Sequence, residues 1–511
     1  MRLNQLVHYF EPMSSNTRDA DRLGAPLLKV IAVLLLGGLL GILNSTMAAV
    51  VTPTLAESLN TSLSTVGWAS TGFLLAVTAT IPFTTWAVDR FGGKRLWLVG
   101  LAIFVAGSLA SGLAWNAGSL IAFRSLQGVG AGLLDPLVLI LLARAAGPAR
   151  AGRVMGLMGV VLALGPALGP ISGGAVTEVS SWRWMFLLSV PVGLVALVLA
   201  RRVLPADPPA PDEATGGPRL DVLGLALLAP GFAGLVLALS QTAEEGTALA
   251  WQSWLPLLAG AGLLLAYGTH AARLRTRPPL IALSLFANRG FTASVTIMGL
   301  SGLVNFAVFF ALPLYYQQVH GHGVLAAGLL MAPVGIGGSL AMPVAGRLSD
   351  RLGSRGLAAG GATAAALCTL SLTRVDETTT ELWPVLGALL LGVSLGFMAA
   401  PTMGSLYRAL PAERVAQGSS VLYMLNQLGA ALGVAVVTLV VQTSGTVTEG
   451  LHRSFWLSSG VLLVILLAIP LLPGPARPRP AATAPVDGAG GVGGAGGAGS
   501  VSGAGAEEVR P

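Results

Sequence analysis

The sequence predicts an all-α integral membrane protein made of two six-helix bundles with two further helices inserted between them. Three observations predict it. The chain of 511 residues is 54% hydrophobic and only 10% charged, with a mean hydropathy of +0.76, whereas a soluble domain carries about 25% charged residues. Apolar stretches long enough to cross a bilayer, which takes roughly 20 residues, recur fourteen times. A ten-residue string after the tenth stretch, GRLSDRLGSR at Gly346 to Arg355, has a weaker copy after the second, TWAVDRFGGK at Thr85 to Lys94. A charged loop repeated in register in two hydrophobic halves marks a transporter assembled from internal repeats.

The spans fall at 28–50, 64–87, 96–115, 119–143, 154–177, 183–203, 221–240, 253–272, 291–317, 324–345, 356–374, 383–406, 415–441 and 454–473. The first six make an N-terminal bundle over 28–203. A linker at 204–220, rich in Pro, Asp and Gly, leads to two additional helices within 221–272. A second linker at 273–290 leads to the C-terminal bundle at 291–473. Inserting an even number of spans preserves the orientation of the second half, so both charged loops face the same side. Of the 29 Lys and Arg, only Arg183, Arg374 and Arg453 fall on the opposite side, and Arg124 lies inside a span. By the positive-inside rule both termini and both linkers are cytoplasmic and the protein is a multi-pass resident of the plasma membrane. The pI near 10.2 follows from this topology, so no nucleic-acid partner is needed.

The tail at 1–27 is polar and lacks a small-residue cleavage site, which predicts no cleaved signal peptide. From 474 to 511 the chain is Pro-rich, then Gly/Ala-rich (GAGGVGGAGGAGS), a composition that predicts disorder. No GxxxxGK[ST] string is present, which argues against an ATP-driven pump within this polypeptide. Cys368 has no second thiol for a disulfide and reads as a small apolar filler. His8, His270, His320, His322 and His452 are scattered, and no third ligand accompanies His320 and His322. The spans offer no paired acid and base, so neither an enzyme, a metal site nor a cofactor is expected.

Almost all Asp and Glu residues fall in loops, tails or span ends, and Asp135 in mid-span four is the clear exception. An ionisable group inside the membrane is costly and marks ion or proton pathways, which makes Asp135 a proton-carrier candidate; the alternative is an Asp that caps or kinks the helix at Pro136. Arg124 lies eleven residues earlier, close to the same helix face, with Gln127 one turn on. Arg124 and Asp135 stand roughly 16 Å apart along the axis at 1.5 Å per residue, too far for an ion pair. Such a polar face belongs against a cavity rather than lipid, although a structural Arg bonded to neighbouring helices has the same signature.

In span five Gly165, Gly169 and Gly173 recur every four residues, which predicts a flat ridge for close packing. Pro166 and Pro170 add kinks. Span nine carries Asn305, Phe306 and Phe309, and span thirteen carries Tyr423, Asn426 and Gln427. Aromatic and amide groups suit amphipathic or cationic organic compounds. Tyr315 and Tyr316, at the end of span nine, read as interfacial anchors.

Taken together, these strings resemble the major facilitator superfamily, in its fourteen-span drug:proton antiporter branch (EmrB/QacA-like), over residues 28 to 473. GRLSDRLGSR is similar to the family's cytoplasmic loop motif, RSLQGVGAG from Arg124 to Gly132 to its span-four motif, and GPALGPISGG from Gly165 to Gly174 to the span-five antiporter motif. WRWMFLLSVPVG from Trp182 to Gly193 resembles a stretch of the drug-export branch. The resemblance implies a major facilitator fold and proton-coupled export of hydrophobic or amphipathic compounds by alternating access. Asp89, Arg90, Asp350 and Arg351 would form a conformational latch, and Arg124 would join Asp135 in proton coupling. Gly165, Pro166, Gly169, Pro170, Gly173 and Gly174 would shape the hinge and seal between the halves. Asn44, Gln127, Asn305, Phe309, Asn426 and Gln427 are the candidate cavity residues.

The chain also departs from the family pattern. Asn44 stands where an acid is usual in span one, Ser189 where an Asn is usual in the WRW stretch, and Thr85 where the first loop copy should open with Gly. The rival readings are a dedicated exporter or importer of one metabolite on the same fold, and a non-transporting membrane sensor.

Overall fold

The computed structural model describes residues 24–472 other than 51, 147–149, 208–219, 248 and 275–278. The N-terminal tail before residue 24, most of the first linker, Arg275 and Arg277 of the second linker, and the Pro/Gly/Ala-rich tail lie outside the described residues.

Every regular element among the described residues is helical, as a chain in a bilayer requires: with no water to satisfy them, backbone N–H and C=O groups must pair within the segment. The α-helices in order are α1 (Ala25–Val50), α2 (Thr52–Ser58), α3 (Leu63–Phe91), α4 (Gly93–Gly112), α5 (Ala117–Ala146), α6 (Ala151–Val179), α7 (Arg183–Leu187) and α8 (Ser189–Val203). They continue with α9 (Val222–Glu245), α10 (Trp251–Arg273), α11 (Arg289–Leu314), α12 (Val324–Leu352), α13 (Ser354–Leu372), α14 (Leu382–Ala409), α15 (Val415–Thr443) and α16 (Val447–Ala468). Helix starts are fixed by side-chain caps where the sequence supplies them. Asp221 accepts from Gly224 N at 2.8 Å, Asn288 from Gly290 N at 2.9 Å and Thr446 from Glu449 N at 3.1 Å, each satisfying an otherwise orphaned first-turn donor.

Twelve segments among the described residues are long and apolar enough to cross a membrane, counting α7 and α8 as one. The remaining long helices, α6 and α13, are not among the twelve. Helix α13 is built largely of Ala, Gly and Thr (SRGLAAGGATAAALCTLSL), small side chains that contribute little apolarity per residue. At the end of the bundle opposite the Arg-rich loops, Trp68, Trp115, Trp184, Trp251, Trp254 and Trp383 are exposed, the arrangement of an interfacial aromatic belt.

The two copies of the charged loop adopt one backbone conformation. Gly92 sits at φ 90°, ψ 156° between α3 and α4, and Gly353 at φ 87°, ψ 168° between α12 and α13. This region of backbone space is essentially reserved for glycine. In both copies the glycine N–H closes the preceding helix, onto Val88 O at 3.1 Å and Ser349 O at 3.0 Å.

In the first half α5 packs against α3 and α4, and α6 against α1. In the second, α14 packs against α12 and α13, and α11 against α15. The halves meet along α6 with α12 and along α3 with α15, and α9 lies against both α3 and α15 while α10 packs on α9. Tyr315 and Tyr316 are not the interfacial anchors their position suggested. They are 1% and 0% exposed, within a π-helical turn at Tyr315–Val319, whose extra residue per turn rotates both rings inward. Tyr315 O–H donates to Asp376 O at 3.1 Å.

Candidate functional site

Arg124 on α5 is the centre of a closed polar network. The side chain is 1% exposed. Its Nη1 donates to Asn44 Oδ1 of α1 at 2.7 Å and to Gln127 Oε1 at 2.6 Å. Gln127 Nε2 donates to Ser108 Oγ of α4 at 2.5 Å, and Asn44 Nδ2 donates to Ser189 Oγ of α8 at 3.1 Å. The guanidinium carbon lies 4.1 Å from the Phe73 ring centroid and 5.6 Å from that of Phe186, so ring faces supply part of what water would supply to the charge. Nε has no hydrogen-bond partner among the described residues, and no carboxylate pairs with this arginine there. Two of the three departures from the family pattern, Asn44 and Ser189, are therefore partners. Each amide presents its oxygen to the cation and its nitrogen to a serine, a complete assignment for a neutral acceptor set.

Asp135 is held apart from this network. The side chain of Tyr423 on α15 lies close enough to act on its carboxyl, an approach from one half of the molecule to the other. A Cβ on Gly41 of α1 would lie 3.7 Å from Asp135 Oδ1, so the small residue on α1 leaves the carboxyl room. Both ends of the polar face of α5 look onto α1, Arg124 at Asn44 and Asp135 at Gly41, while Gln127 also meets α4 and Asp135 also faces Tyr423 of α15.

Tyr423 is also a wall of a cavity of about 100 Å³. Asn305, Phe306 and Phe309 of α11 and Asn426 and Gln427 of α15 line it, with Ile42 of α1 and Met342 of α12. Four of the six cavity residues read from sequence are brought together here. Asn44 and Gln127 are not; both are 0% exposed and serve the Arg124 network. Asn426 Nδ2 also donates to Met298 O at 3.1 Å, so its oxygen is the atom left to face the cavity.

The glycines of α6 divide between two neighbours. A Cβ on Gly165 would overlap Ile42, and one on Gly169 would overlap Thr46, both on α1; Gly173 also faces α1, at Met47. Contact with the other half is made instead by Gly156 and Gly159 against Met342 and by Gly174 against Leu325, all on α12. Pro166 and Pro170 lie within α6, and their side chains are outside the described residues.

Within the loop copies, Asp89 pairs with Arg144 of α5 at 2.9 Å and Asp350 with Arg408 of α14 at 2.8 Å. Asp350 further accepts from Arg153 N at the start of α6, at 3.0 Å, which ties the second copy to the first half. On the opposite seam Thr85 Oγ1 donates to Ser420 Oγ at 2.7 Å. Here the first copy's Thr, which weakened the sequence match, makes a contact between halves. The partners Arg144 and Arg408 were not legible as such, because helix-end arginines carry the same sequence signal whether they set topology or pair with an aspartate.

A buried arginine, a mid-bundle carboxyl shared across two helical halves and a small amide-and-aromatic cavity between them define a membrane transporter. The family model of the Major Facilitator Superfamily matches residues 34–434, and the chain belongs to that superfamily. It is 35% identical over 433 residues to a "Multidrug resistance protein B homolog" of Mycobacterium tuberculosis, covering 84% of this chain and 79% of the relative. It is 30% identical to "Multidrug export protein EmrB" of Escherichia coli K12 over 437 residues, covering 84% and 82%. Among solved structures, the human organic anion transporter MFSD10 superposes with a TM-score of 0.63 at 16% identity, covering 88% of this chain and all of that one. The protein is thus a multi-pass membrane transporter and not an enzyme.

Proposed function

We propose that this chain is a proton-coupled multidrug exporter with fourteen spans, divided six, two and six, with α6 and α13 completing the count. Both termini are cytoplasmic and the membrane is the plasma membrane. Hydrophobic or amphipathic compounds enter the cavity lined by Asn305, Phe309, Asn426 and Gln427, and a proton bound at Asp135 is exchanged for them. The observation that carries this reading is the closeness of Asp135 to Tyr423: the carboxyl lies in one half and the phenol in the other, on the cavity wall. Adding a proton changes what Tyr423 holds, which gives the two access states the differential interaction that any coupling needs. Arg124 supports α5 by fixing α1, α4 and α8 around it. Asp89 with Arg90 and Asp350 with Arg351 form the cytoplasmic latch, and the glycines of α6 let that helix slide on α1. The names of the relatives support export.

The test is purified protein in liposomes, with internal pH followed while lipophilic cations are added outside or loaded inside. Substrate-dependent proton movement is expected in the wild type and lost in Asp135→Asn. Substrate movement without proton movement would overturn the coupling.

A further inference from the structure

The Asp and Glu among the described residues can be placed along the helices, and their placement has a consequence for energetics. Among the described residues, Asp207, Asp221, Asp376, Glu377, Glu381 and Glu413 lie in loops, short turns or at caps; Glu57, Asp89, Glu178, Glu244, Glu245, Asp350 and Glu449 lie in the first or last turns of their helices. Asp135 alone stands in the interior of a span. The position on α1 facing the buried arginine is an amide: Asn44 is 2.7 Å from Arg124 Nη1 and carries no proton to give. The helices packed against α5 are α1, α3, α4, α6 and α15. Their charged residues are Lys29, Asp89, Arg90, Lys94, Arg95 and Arg153, with Arg414 preceding α15, at helix ends on the side of the charged loops, and Glu178 in the last turn of α6 at the opposite end. The group that reaches Asp135 in mid-membrane is the neutral hydroxyl of Tyr423. Arg124, the other ionisable side chain of α5 inside the membrane, is roughly 16 Å away along the axis.

We infer, resting on the proton-exchange reading above, that Asp135 is the sole proton carrier and that one proton crosses per transport cycle. Export of a monocation in exchange for one proton then moves no net charge, so it is driven by the pH gradient and is indifferent to membrane potential. Export of a neutral compound moves one positive charge inward and responds to both. The preferred substrate class is therefore monovalent lipophilic cations and neutral amphiphiles. A dication exchanged for one proton carries net positive charge outward, against the potential of an energised cell.

The experiment uses the full chain in proteoliposomes with a fixed pH gradient, and potential clamped by potassium and valinomycin. The probes are a monocation (ethidium) and a dication (dequalinium), each gradient read as the excess over protein-free liposomes at the same potential. One proton per cycle limits monocation accumulation to about tenfold per pH unit, whereas two protons allow about a hundredfold. The expected result is the tenfold limit, no change in the monocation gradient when the potential is set to zero or to inside-negative, and a dication gradient that shifts with potential. A hundredfold limit or a potential-sensitive monocation gradient would overturn the single-carrier inference while leaving proton exchange intact. No accumulation under any pH gradient would overturn the exchange reading and the inference with it. Tyr423→Phe keeps the carboxyl, so it is expected to keep the tenfold limit and to shift the pH at which transport is half-maximal; a changed limit in this variant would place a second carrier in the cycle.

Discussion

At the scale of the residue, the Arg124 network shows how a buried cation is kept without an acid. A guanidinium in a low-dielectric interior is costly unless its donors are met. Here two amide oxygens and two aromatic faces meet it. Removing one acceptor leaves a charged donor unsatisfied, a loss of about 1–3 kcal/mol. Asn44→Leu is therefore expected to lower thermal stability by that order in detergent, read as the midpoint of a tryptophan-fluorescence melt, while Asn44→Asp, which keeps an acceptor in place, is expected to hold it. An unchanged midpoint in the leucine variant would mean that the network contributes nothing.

The element that decides most here is α6, a helix with two working faces. Its Gly165 and Gly169 take α1 at contact distance, and its Gly156 takes α12, where an added Cβ would lie 2.6 Å from Met342 O. Overpacking such a contact costs about 1–3 kcal/mol, but the two faces have different consequences. Gly156→Val presses on the seam between halves and is expected to cut transport rate at least severalfold with near-normal folding. Gly169→Val presses within one half and is expected to lower stability and yield first. Transport assays paired with size-exclusion profiles separate the two. The loop copies belong to the same scale: Gly353→Ala forces a side chain into φ 87°, a strain of about 1–3 kcal/mol, and is expected to weaken the turn that sets Asp350 against Arg408 and Arg153.

For the whole molecule, both seams between the halves are joined on the side of the charged loops. Asp350 reaches Arg153 N on one seam and Thr85 reaches Ser420 on the other. An alternating-access cycle must break both. Thr85→Cys with Ser420→Cys, in a Cys368→Ala background, places two thiols where the hydroxyls are 2.7 Å apart. Oxidation is expected to abolish transport and reduction to restore it; full transport in the oxidised protein would mean that this seam does not open. The α9–α10 pair adds a constraint of its own, because α9 rests on α3 of one half and α15 of the other and must follow both as they move.

The sequence alone determined the membrane class, the helical architecture and the repeat, because each is a local property. Apolar length answers to bilayer thickness. It also singled out Arg124 and Asp135, since charge in an apolar run is expensive wherever the run is placed. What those charges touch was not legible. An eleven-residue spacing put them on one face of α5, and both do look onto α1, but only the packing of α4 and α8 around one end and α15 at the other gave them different partners. The same holds for Asn44 and Ser189, 145 residues apart, whose departures from the family pattern read as independent until the fold made them partners. Pairing across helices depends on rotation and depth, and a hydropathy pattern fixes neither.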